Sequence, residues 1–272
     1  MNIQSQKKCK RKEIEYIENN LENDINYSKM AQIMASNEYT VKKVFSLISN
    51  ISISEYIRNR RLSNAGFDLY KNNEKIIDIA IKYQYDNPTS FSRAFEKFHG
   101  IKPSLVNNNP EKLKVYPKLH FNEEILSNDN MEYSIIKMEE LVVYGKGIKT
   151  TYSTINDDAP RFFADMRKRF LEKYGEIDYG MVIYEDRCDG YNYNYEYWIA
   201  YNKKIDEFEK IIIPQSKWLR FRINSQEAVD IQKVSRDFYE KFITSSKFNL
   251  RELPELEYYH NDITDFLVPI ED

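Results

Sequence analysis

Glycine, proline and cysteine are all scarce in this chain of 272 residues, which contains seven, eight and two of them, respectively. So few glycines and prolines leave little room for low-complexity sequence. Cys9 and Cys188 are isolated, which excludes a disulfide framework and favours reduced thiols. No run approaches the 18 apolar residues typical of a membrane span, and the start MNIQSQKKCKRKE lacks the apolar core of a signal peptide.

Patterns for catalysis and metal binding are also sparse. The three histidines never lie near a cysteine pair, so we expect no metal site. The run Gly145-Lys146-Gly147 lacks the third glycine of a nucleotide-binding fingerprint. There is no G-x-S-x-G motif, and no histidine is spaced to activate a nucleophile. We therefore expect no catalytic residue and no cofactor, and a chain that is not an enzyme.

The charge is divided unevenly along the chain. Residues 1–110 carry 17 Lys and Arg against 12 Asp and Glu, whereas the remainder carries 23 against 31. A basic part favours contact with phosphates, and an acidic part repels DNA. The asymmetry indicates two domains with different partners.

Residues 76–104 show a two-helix pattern followed by a stop signal. Apolar residues recur at the spacing of one helical face, first at Ile76, Ile79, Ala80 and Tyr83, then at Phe91, Ala94, Phe95 and Phe98. Asn87 supplies an N-cap oxygen ahead of Pro88. Gly100 ends the second helix in the left-handed conformation. The pattern predicts a helix-turn-helix unit whose second helix enters the major groove of DNA.

The same pattern occurs 50 residues earlier, where Asn37 matches Asn87 and Asn50 takes the place of Gly100. Between the two units lies a predicted helix of about 18 residues, or roughly 27 Å at 1.5 Å per residue. Such a helix could place two reading helices about 34 Å apart, one turn of B-DNA, so that a monomer could bind DNA. The predicted DNA-contacting residues are Tyr39, Thr40, Lys42, Lys43, Thr89, Ser90 and Arg93.

These residues could also be ordinary solvated helix positions. Arg93 could pair with a guanine edge or only hold a phosphate, and the sequence leaves this open.

The segment RRLSNA followed by IIDIAIKYQYDNPTSFSRAFEKFHGIKP resembles the signature of the AraC/XylS transcription regulators, over about residues 8–107. The resemblance implies a promoter-binding regulator of the bacterial cytoplasm that contacts RNA polymerase. Two positions depart from the family pattern. Gln84 stands where glycine is usual, and Gly66 lies inside the linking helix, at a cost of about 1 kcal/mol against alanine.

An asparagine-rich stretch, residues 107–130, is predicted to link the domain of residues 1–106 to a second domain of residues 131–272. The second domain is predicted to be α+β with a duplicated β-α-β-β unit, at an offset near 75 residues. Its predicted elements are strand 141–148, helix 158–174 and strands 179–185 and 193–201, then strand 216–223, helix 226–243 and strands 255–260 and 264–270. Two such units leave a concave seam between them, which we expect to be aromatic because the chain contains 22 tyrosines.

The order of YGMVIYE, YEYWIAYN, IIIPQSKWLRF, FITSSKFNLRELPELEYY and DFLVPI resembles the GyrI-like effector-binding domain, over about residues 131–270. The combination with the first domain is similar to Rob-like regulators. The resemblance implies a small amphipathic effector, often cationic, bound in an aromatic groove that contains a glutamate. The corresponding candidates are Glu257, Phe163, Tyr184, Tyr197, Trp198 and Trp218.

Three functional hypotheses follow from these patterns. The first is a regulator gated by an amphipathic small molecule. The second is a ligand-independent regulator whose second domain binds another protein, and the third is a second domain with hydrolase activity. The sequence leaves the effector, the operator and the oligomeric state open, and a dimer is compatible with it.

Overall fold

The computed structural model describes residues 12–72, 74–119, 131–185, 195–243 and 246–271. Predictions that fall on other positions lie outside the described residues. They concern Cys9, Cys188, residues 120–130 of the predicted linker and the start of strand 193–201.

Six helices precede the first strand in the described part of the chain. They are α1 (12–19), α2 (Tyr27–Met34), α3 (Glu38–Ser49), α4 (Ile53–Asn72), α5 (Ile76–Lys82) and α6 (Pro88–His99). Short 3-10 turns follow at Pro103–Asn108 and Pro110–Lys112. The order confirms two helix-turn-helix units joined by a long helix. No described helix is long and apolar enough to cross a lipid bilayer.

Local side-chain chemistry fixes where the two predicted reading helices begin and end. The side-chain oxygens of Asn37 and Asn87 each accept a 2.8 Å hydrogen bond from the backbone N–H three residues further on. Each bond satisfies one of the unpaired N–H groups at a helix start. At the other ends, Asn50 and Gly100 adopt φ angles of 60° and 79°. These left-handed residues are the predicted stop signals.

Gln84 is also left-handed, with a φ of 64°. Glycine adopts this conformation without strain, which explains why it is the usual residue at this position. The Gln84 side chain donates a 2.7 Å hydrogen bond to the carbonyl of Glu22, a contact that glycine could not make. This bond offsets part of the backbone strain.

The chain divides into two compact units along a line that sequence patterns did not indicate. One unit contains Ser36–Ser52, and therefore α3, together with the described residues from 131 onward. The other contains the described residues before Ser36 and from Ile53 to 119. The predicted boundary near residue 106 kept α3 with the other helices. Apolar periodicity identifies a helix, but it does not say which surface covers the opposite face.

The apolar faces of α4, α5 and α6 form the core of the helical unit. Its buried residues are Leu62, Ala65, Leu69, Ile79, Ala80, Tyr83, Phe91, Phe95, Ile101 and Val106. The first part of the predicted linker also belongs to this unit. Leu113 packs against the core, Arg60 donates to the carbonyl of Tyr116, and the Tyr116 N–H donates to Ser63 Oγ at 3.0 Å. Residues 113–116 of the predicted linker therefore pack with the helices.

Eight strands in the described residues form one antiparallel sheet. They are β1 (Ser134–Met138), β2 (Leu141–Thr150), β3 (Tyr179–Tyr184), β4 (Tyr195–Tyr201), β5 (Glu209–Ile213), β6 (Ser216–Ile223), β7 (Glu255–His260) and β8 (Ile263–Ile270), in the order β1-β6-β8-β7-β3-β4-β2-β5. Helix α7 (Ile155–Tyr174) follows β2. Helix α8 (Ala228–Asp237), which continues into a π-helical turn at Phe238–Phe242, follows β6. The predicted duplication is confirmed.

Apolar patterns in the sequence do not predict β1 and β5, which precede the two copies. Each has five residues, and each pairs with one strand, β1 with β6 and β5 with β2. Short edge strands carry too few residues for a clear alternation of apolar and polar positions. The two copies meet where β3 pairs with β7, which is the predicted seam.

Strand alternation gives the sheet two faces with different neighbours. One face packs under α7 and α8, with Tyr197 and Ile199 of β4 near Met166 of α7. The other face forms a separate cluster that includes Met181 and Trp218. Residues one position apart on a strand therefore belong to different environments.

Gly66 in α4 is explained by the packing around it. A Cβ at this position would lie 2.9 Å from Leu113 Cδ2 and 3.0 Å from the His99 ring. The ring cannot easily move, because its nitrogens contact the Leu62 carbonyl at 2.9 Å and the Lys114 N–H at 3.0 Å. Steric exclusion outweighs helix propensity here.

We therefore predict that Gly66→Ala destabilises the chain, although alanine favours a helix by about 1 kcal/mol. Overpacking costs typically 1–3 kcal/mol, so the melting temperature should fall. Lys71→Ala at an exposed position of α4 is the control, and it should change stability by less than about 0.5 kcal/mol. A Gly66→Ala variant more stable than the wild type would contradict this explanation.

Candidate functional site

Helix α6 turns its polar residues outward, as predicted. Phe91 and Phe95 are fully buried, whereas Thr89, Ser90 and Arg93 are exposed. Asn87 and Pro88 fix the start of the helix, so the three side chains extend from a rigid first turn and a half. This surface has the form of a reading helix, and its contact with DNA stays a prediction.

Helix α3 differs, because most of its predicted DNA-contacting face is covered. Thr40 and Lys43 are buried, Tyr39 and Lys42 are partly buried, and α3 packs on the sheet-containing part of its own unit. The expectation that Tyr39, Thr40 and Lys43 face solvent is therefore corrected for this structure. A polar residue opposite an apolar stripe is usually solvated, but here a second surface binds it.

Hydrogen bonds fix the N-terminal end of α3 to residues 249 and 250. Thr40 Oγ1 accepts a 2.8 Å bond from the Leu250 N–H, and Asn37 Nδ2 donates a 2.7 Å bond to the Leu250 carbonyl. Ser36 Oγ donates to Asn249 Oδ1 at 3.0 Å. The contact is therefore specific in register and does not consist of apolar packing alone.

Apolar side chains of α3 complete the contact. Tyr39, Val44 and Leu47 pack against the core formed by β6, β8 and the helix after β6. The Tyr39 ring also lies edge-on to Tyr184, with 6.1 Å between centroids. Opening this contact would expose apolar surface, so docking of α3 stabilises the unit.

Lys43 is the most deeply buried charge on α3. Its Nζ lies 2.5 Å from Glu255 Oε1, and the two side chains are 2% and 4% exposed. The same ammonium lies 5.5 Å from the ring centroids of both Tyr39 and Tyr239. Burial works to lower the pKa of Lys43, but the adjacent Glu255 carboxylate outweighs it and the pKa lies above its ordinary value. The lysine is therefore charged at neutral pH.

Beside this ion pair lies a cavity of about 320 Å³ on the face of the sheet that carries α7 and α8. Its aromatic lining consists of Tyr152, Phe163, Tyr195, Tyr197, Tyr239, Tyr259 and Phe266. Its charged lining consists of Lys43, Arg236, Glu240, Glu255 and Glu257. Helix α3 also contributes Leu47 and Ile48 to the wall. The described lining is thus aromatic and contains three carboxylates against two cations.

Glu257 projects into the cavity from β7, opposite Gly180 of β3. It accepts hydrogen bonds from the hydroxyls of Tyr259 at 2.5 Å and Tyr197 at 3.3 Å. A methyl group at Gly180 would overlap the carboxylate and lie 2.6 Å from the Tyr197 oxygen. Glycine at position 180 therefore makes room for this cluster.

Burial raises the pKa of Glu257 above its ordinary value, against the lowering effect of the two tyrosine hydroxyls. The neighbouring Glu255 carboxylate raises it further. Among the described residues, no lysine, arginine or histidine forms an ion pair with Glu257. A buried carboxylate without a cation is costly, so the site favours either a proton or an incoming positive group.

Three of the six predicted effector residues line the cavity, and three do not. Glu257, Phe163 and Tyr197 are in the lining. Trp198 lies one position from Tyr197 on β4 and so faces the opposite side of the sheet, where Trp218 is also buried. The predictions for Trp198 and Trp218 are therefore corrected.

Tyr184 is on the cavity face but outside the lining, because it contacts α3. Its hydroxyl donates to the Lys42 carbonyl at 3.3 Å, and its ring lies 5.3 Å from that of Tyr195. Glu255 and Tyr259 line the cavity but are not among the residues predicted from the sequence. Alternation on β7 could have found them, since both lie two positions from Glu257.

Comparisons with known proteins identify two families along the chain. A helix-turn-helix domain family matches residues 30–109, and a GyrI-like small molecule binding domain family matches residues 131–271. The second match spans more than half of the chain. The chain belongs to the AraC-type transcription regulators that carry a GyrI-like small-molecule binding domain.

The similar proteins include one from Providencia stuartii and one from Escherichia coli. The HTH-type transcriptional activator AarP of Providencia stuartii is 39% identical over 90 residues, which are 33% of this chain and 67% of that protein. The right origin-binding protein of Escherichia coli strain K12 is 26% identical over 161 residues, which are 58% of this chain and 54% of that protein. The match thus spans about half the length of the second relative.

Among solved structures, a transcriptional regulator with an AraC-type DNA-binding domain from Chromobacterium violaceum matches 40% of this chain and 96% of its own. The sequence identity is 18% and the TM-score is 0.36.

The raised pKa of Glu257 gives a prediction for stability. A carboxyl group that binds its proton more tightly in the folded than in the unfolded chain makes stability fall as pH rises above the ordinary value of 4.5. Glu257→Gln has no carboxyl group to titrate at this position, so the variant lacks this pH-dependent loss of stability. The melting temperature of the variant relative to wild type should therefore increase with pH from 4.5 upward.

The matched control is Glu252→Gln, which changes an exposed carboxyl group three residues before β7. It should show no comparable trend in a pH series of thermal melts. A difference between Glu257→Gln and wild type that stays constant across the series would contradict a raised pKa at Glu257.

Proposed function

We propose that this regulator binds promoter DNA through α6 and α3 in the bacterial cytoplasm, and that it senses an amphipathic organic cation in the cavity beside Glu255 and Glu257. The family membership established above gives the general activity, a DNA-binding transcription regulator with a small-molecule domain. The identity of the DNA contacts and the chemical class of the effector are the proposal.

Support for the DNA contacts comes from α6. Its N-terminal turns present two hydroxyl side chains, Thr89 and Ser90, and one guanidinium, Arg93, on an exposed surface. Arginine pairs with the O6 and N7 atoms of guanine through two parallel hydrogen bonds, and short hydroxyl side chains contact bases or phosphates. Because one chain carries two such units, we propose that a monomer binds an extended site. A further partner, in this proposal, is RNA polymerase.

The observation that carries the effector class is that the cavity already binds an ammonium group. Lys43 Nζ lies against a carboxylate and near two tyrosine rings, which is how proteins bind alkylated cations. Glu257 adds a second carboxylate deeper in the same lining. A ligand with a positive centre and apolar groups would satisfy both the charge and the aromatic walls.

Replacing Arg93 tests the DNA part of the proposal. DNA sequences selected from a random library by the wild-type protein provide the sites. If Arg93 reads a guanine, Arg93→Ala should lose about 1–3 kcal/mol of binding on the selected site and much less on a site with that base pair changed. Fluorescence anisotropy at fixed salt measures both affinities.

Lys97→Ala is the matched control, since Lys97 is an exposed cation near the other end of α6. Both variants remove one positive charge, so a purely electrostatic effect would be similar for the two. If Arg93→Ala weakens all DNA sequences equally, Arg93 contacts phosphate only and the proposed base contact is wrong.

Two organic ions of the same shape and opposite charge test the effector class. Tetraphenylphosphonium should raise the melting temperature and bind by calorimetry, whereas tetraphenylborate should not. Glu257→Gln should weaken binding of the cation at least tenfold, about 1.4 kcal/mol, because it removes a buried negative charge. Glu252→Gln should leave binding unchanged.

Equal binding of the two ions would show that the charge of the ligand does not determine binding, and it would contradict a cationic effector class. No response to either ion, combined with intact DNA binding, would favour a ligand-independent regulator whose second domain binds another protein.

A further inference from the structure

Two features of this molecule coincide on one helix. Lys43, one of the predicted DNA-contacting residues of α3, lines the cavity together with Leu47 and Ile48 of the same helix. Tyr39, Thr40 and Lys43 cannot contact DNA while α3 is docked, since they lie against the sheet-containing part of the unit. Docking of α3 and DNA contact by α3 therefore exclude each other.

The ion pair resists spontaneous opening. Withdrawing Lys43 would leave Glu255, which is 4% exposed, without its positive partner. A buried carboxylate that loses its partner is strongly destabilised, so opening requires another source of positive charge at the same position. The surroundings of Glu255 suit another positive group. The Tyr39 and Tyr239 rings both lie near the Lys43 ammonium, and Glu257 lines the same cavity.

The lining holds a further sign of an incomplete site. Tyr239 is 3% exposed and lines the cavity, yet its hydroxyl has no hydrogen-bond partner among the described residues. Buried hydroxyl groups are normally paired, and a ligand or water in the cavity could serve as the partner. One buried hydroxyl group of the lining therefore has no partner among the described residues.

We propose that Lys43 is an internal substitute for the cationic effector, and that an organic cation displaces it from Glu255 and so releases α3 to bind DNA. In this scheme the unliganded chain is autoinhibited, with one of its two reading helices held by its own sensor domain. The inference rests on the proposed cation-sensing function, but the docking of α3 can be tested without any ligand.

Thermodynamic linkage between cation binding and DNA binding determines how the affinity for DNA should change. A cation that binds only the released state shifts the equilibrium toward that state, and DNA that requires released α3 shifts it in the same direction. Each ligand must then raise the affinity for the other by the same factor. Wild-type protein saturated with tetraphenylphosphonium should bind its selected DNA at least tenfold more tightly than protein without the ion, and tetraphenylborate should have no such effect.

Glu255→Gln tests, without any ligand, whether the ion pair with Lys43 holds α3 in its docked position. The substitution removes the partner of Lys43 and leaves every predicted DNA-contacting residue in place. The variant should bind DNA at least tenfold more tightly than wild type in the absence of any ion, and tetraphenylphosphonium should add little. Glu252→Gln, at an exposed position nearby, should behave like wild type in both respects.

A cross-link keeps the test decisive if Glu255→Gln fails to fold. Ser36 and Asn249, whose side chains are hydrogen-bonded at 3.0 Å, are replaced as Ser36→Cys and Asn249→Cys in a Cys9→Ser, Cys188→Ser background. A short bismaleimide with a reducible disulfide spacer joins them. With tetraphenylphosphonium present, the cross-linked protein should bind DNA at least tenfold more weakly than the same protein after the spacer has been reduced.

The outcomes separate this inference from the proposed function. If tetraphenylphosphonium does not bind, the cationic effector class is wrong, and Glu255→Gln and the cross-link still decide whether docked α3 blocks DNA. If the ion binds but DNA affinity stays the same or falls, displacement of Lys43 is overturned. Full DNA affinity in the cross-linked protein would overturn autoinhibition itself.

Discussion

The buried ion pair between Lys43 and Glu255 is the interaction on which the rest of this structure depends. It joins residues 212 positions apart in sequence and places a helix of the DNA-binding region against the small-molecule domain. A buried ion pair contributes little net stability, because desolvation offsets most of the attraction. Its effect is specificity. It requires one register of α3 on the sheet, and in our proposal a cation that reaches Glu255 competes with Lys43 for it.

The sheet brings the residues of the proposed cation site together on one face. Alternation along β7 places Glu255, Glu257 and Tyr259 on one face, and Gly180 on the neighbouring strand leaves space for the second carboxylate. One acidic residue satisfies the chain's own lysine, while the other stays without a cation among the described residues. In the proposed mechanism, sensing and docking therefore use neighbouring groups on the same strand, which is a short physical route for coupling the two.

Much of the architecture could be predicted from the sequence, because it follows from local rules. Asn37, Asn50, Asn87 and Gly100 mark the ends of helices through hydrogen bonds and left-handed backbone, and the repeated strand-helix-strand-strand order follows from apolar periodicity. The short edge strands β1 and β5 have too few residues to show a clear alternation of apolar and polar positions. The placement of Trp198 and Trp218 required the phase of the strand alternation, which only the neighbours in the sheet determine.

The covered face of α3 could not be predicted, because a polar residue opposite an apolar stripe looks the same whether water or a distant carboxylate surrounds it. The central claim is that α3 is docked on the sheet and is released when a cation binds. Backbone hydrogen exchange tests it most directly. The amides of α3 should be protected in the unliganded protein and should exchange faster when an organic cation binds, while β7 stays protected. Protection of α3 that is unchanged or increased by the bound cation would contradict the account.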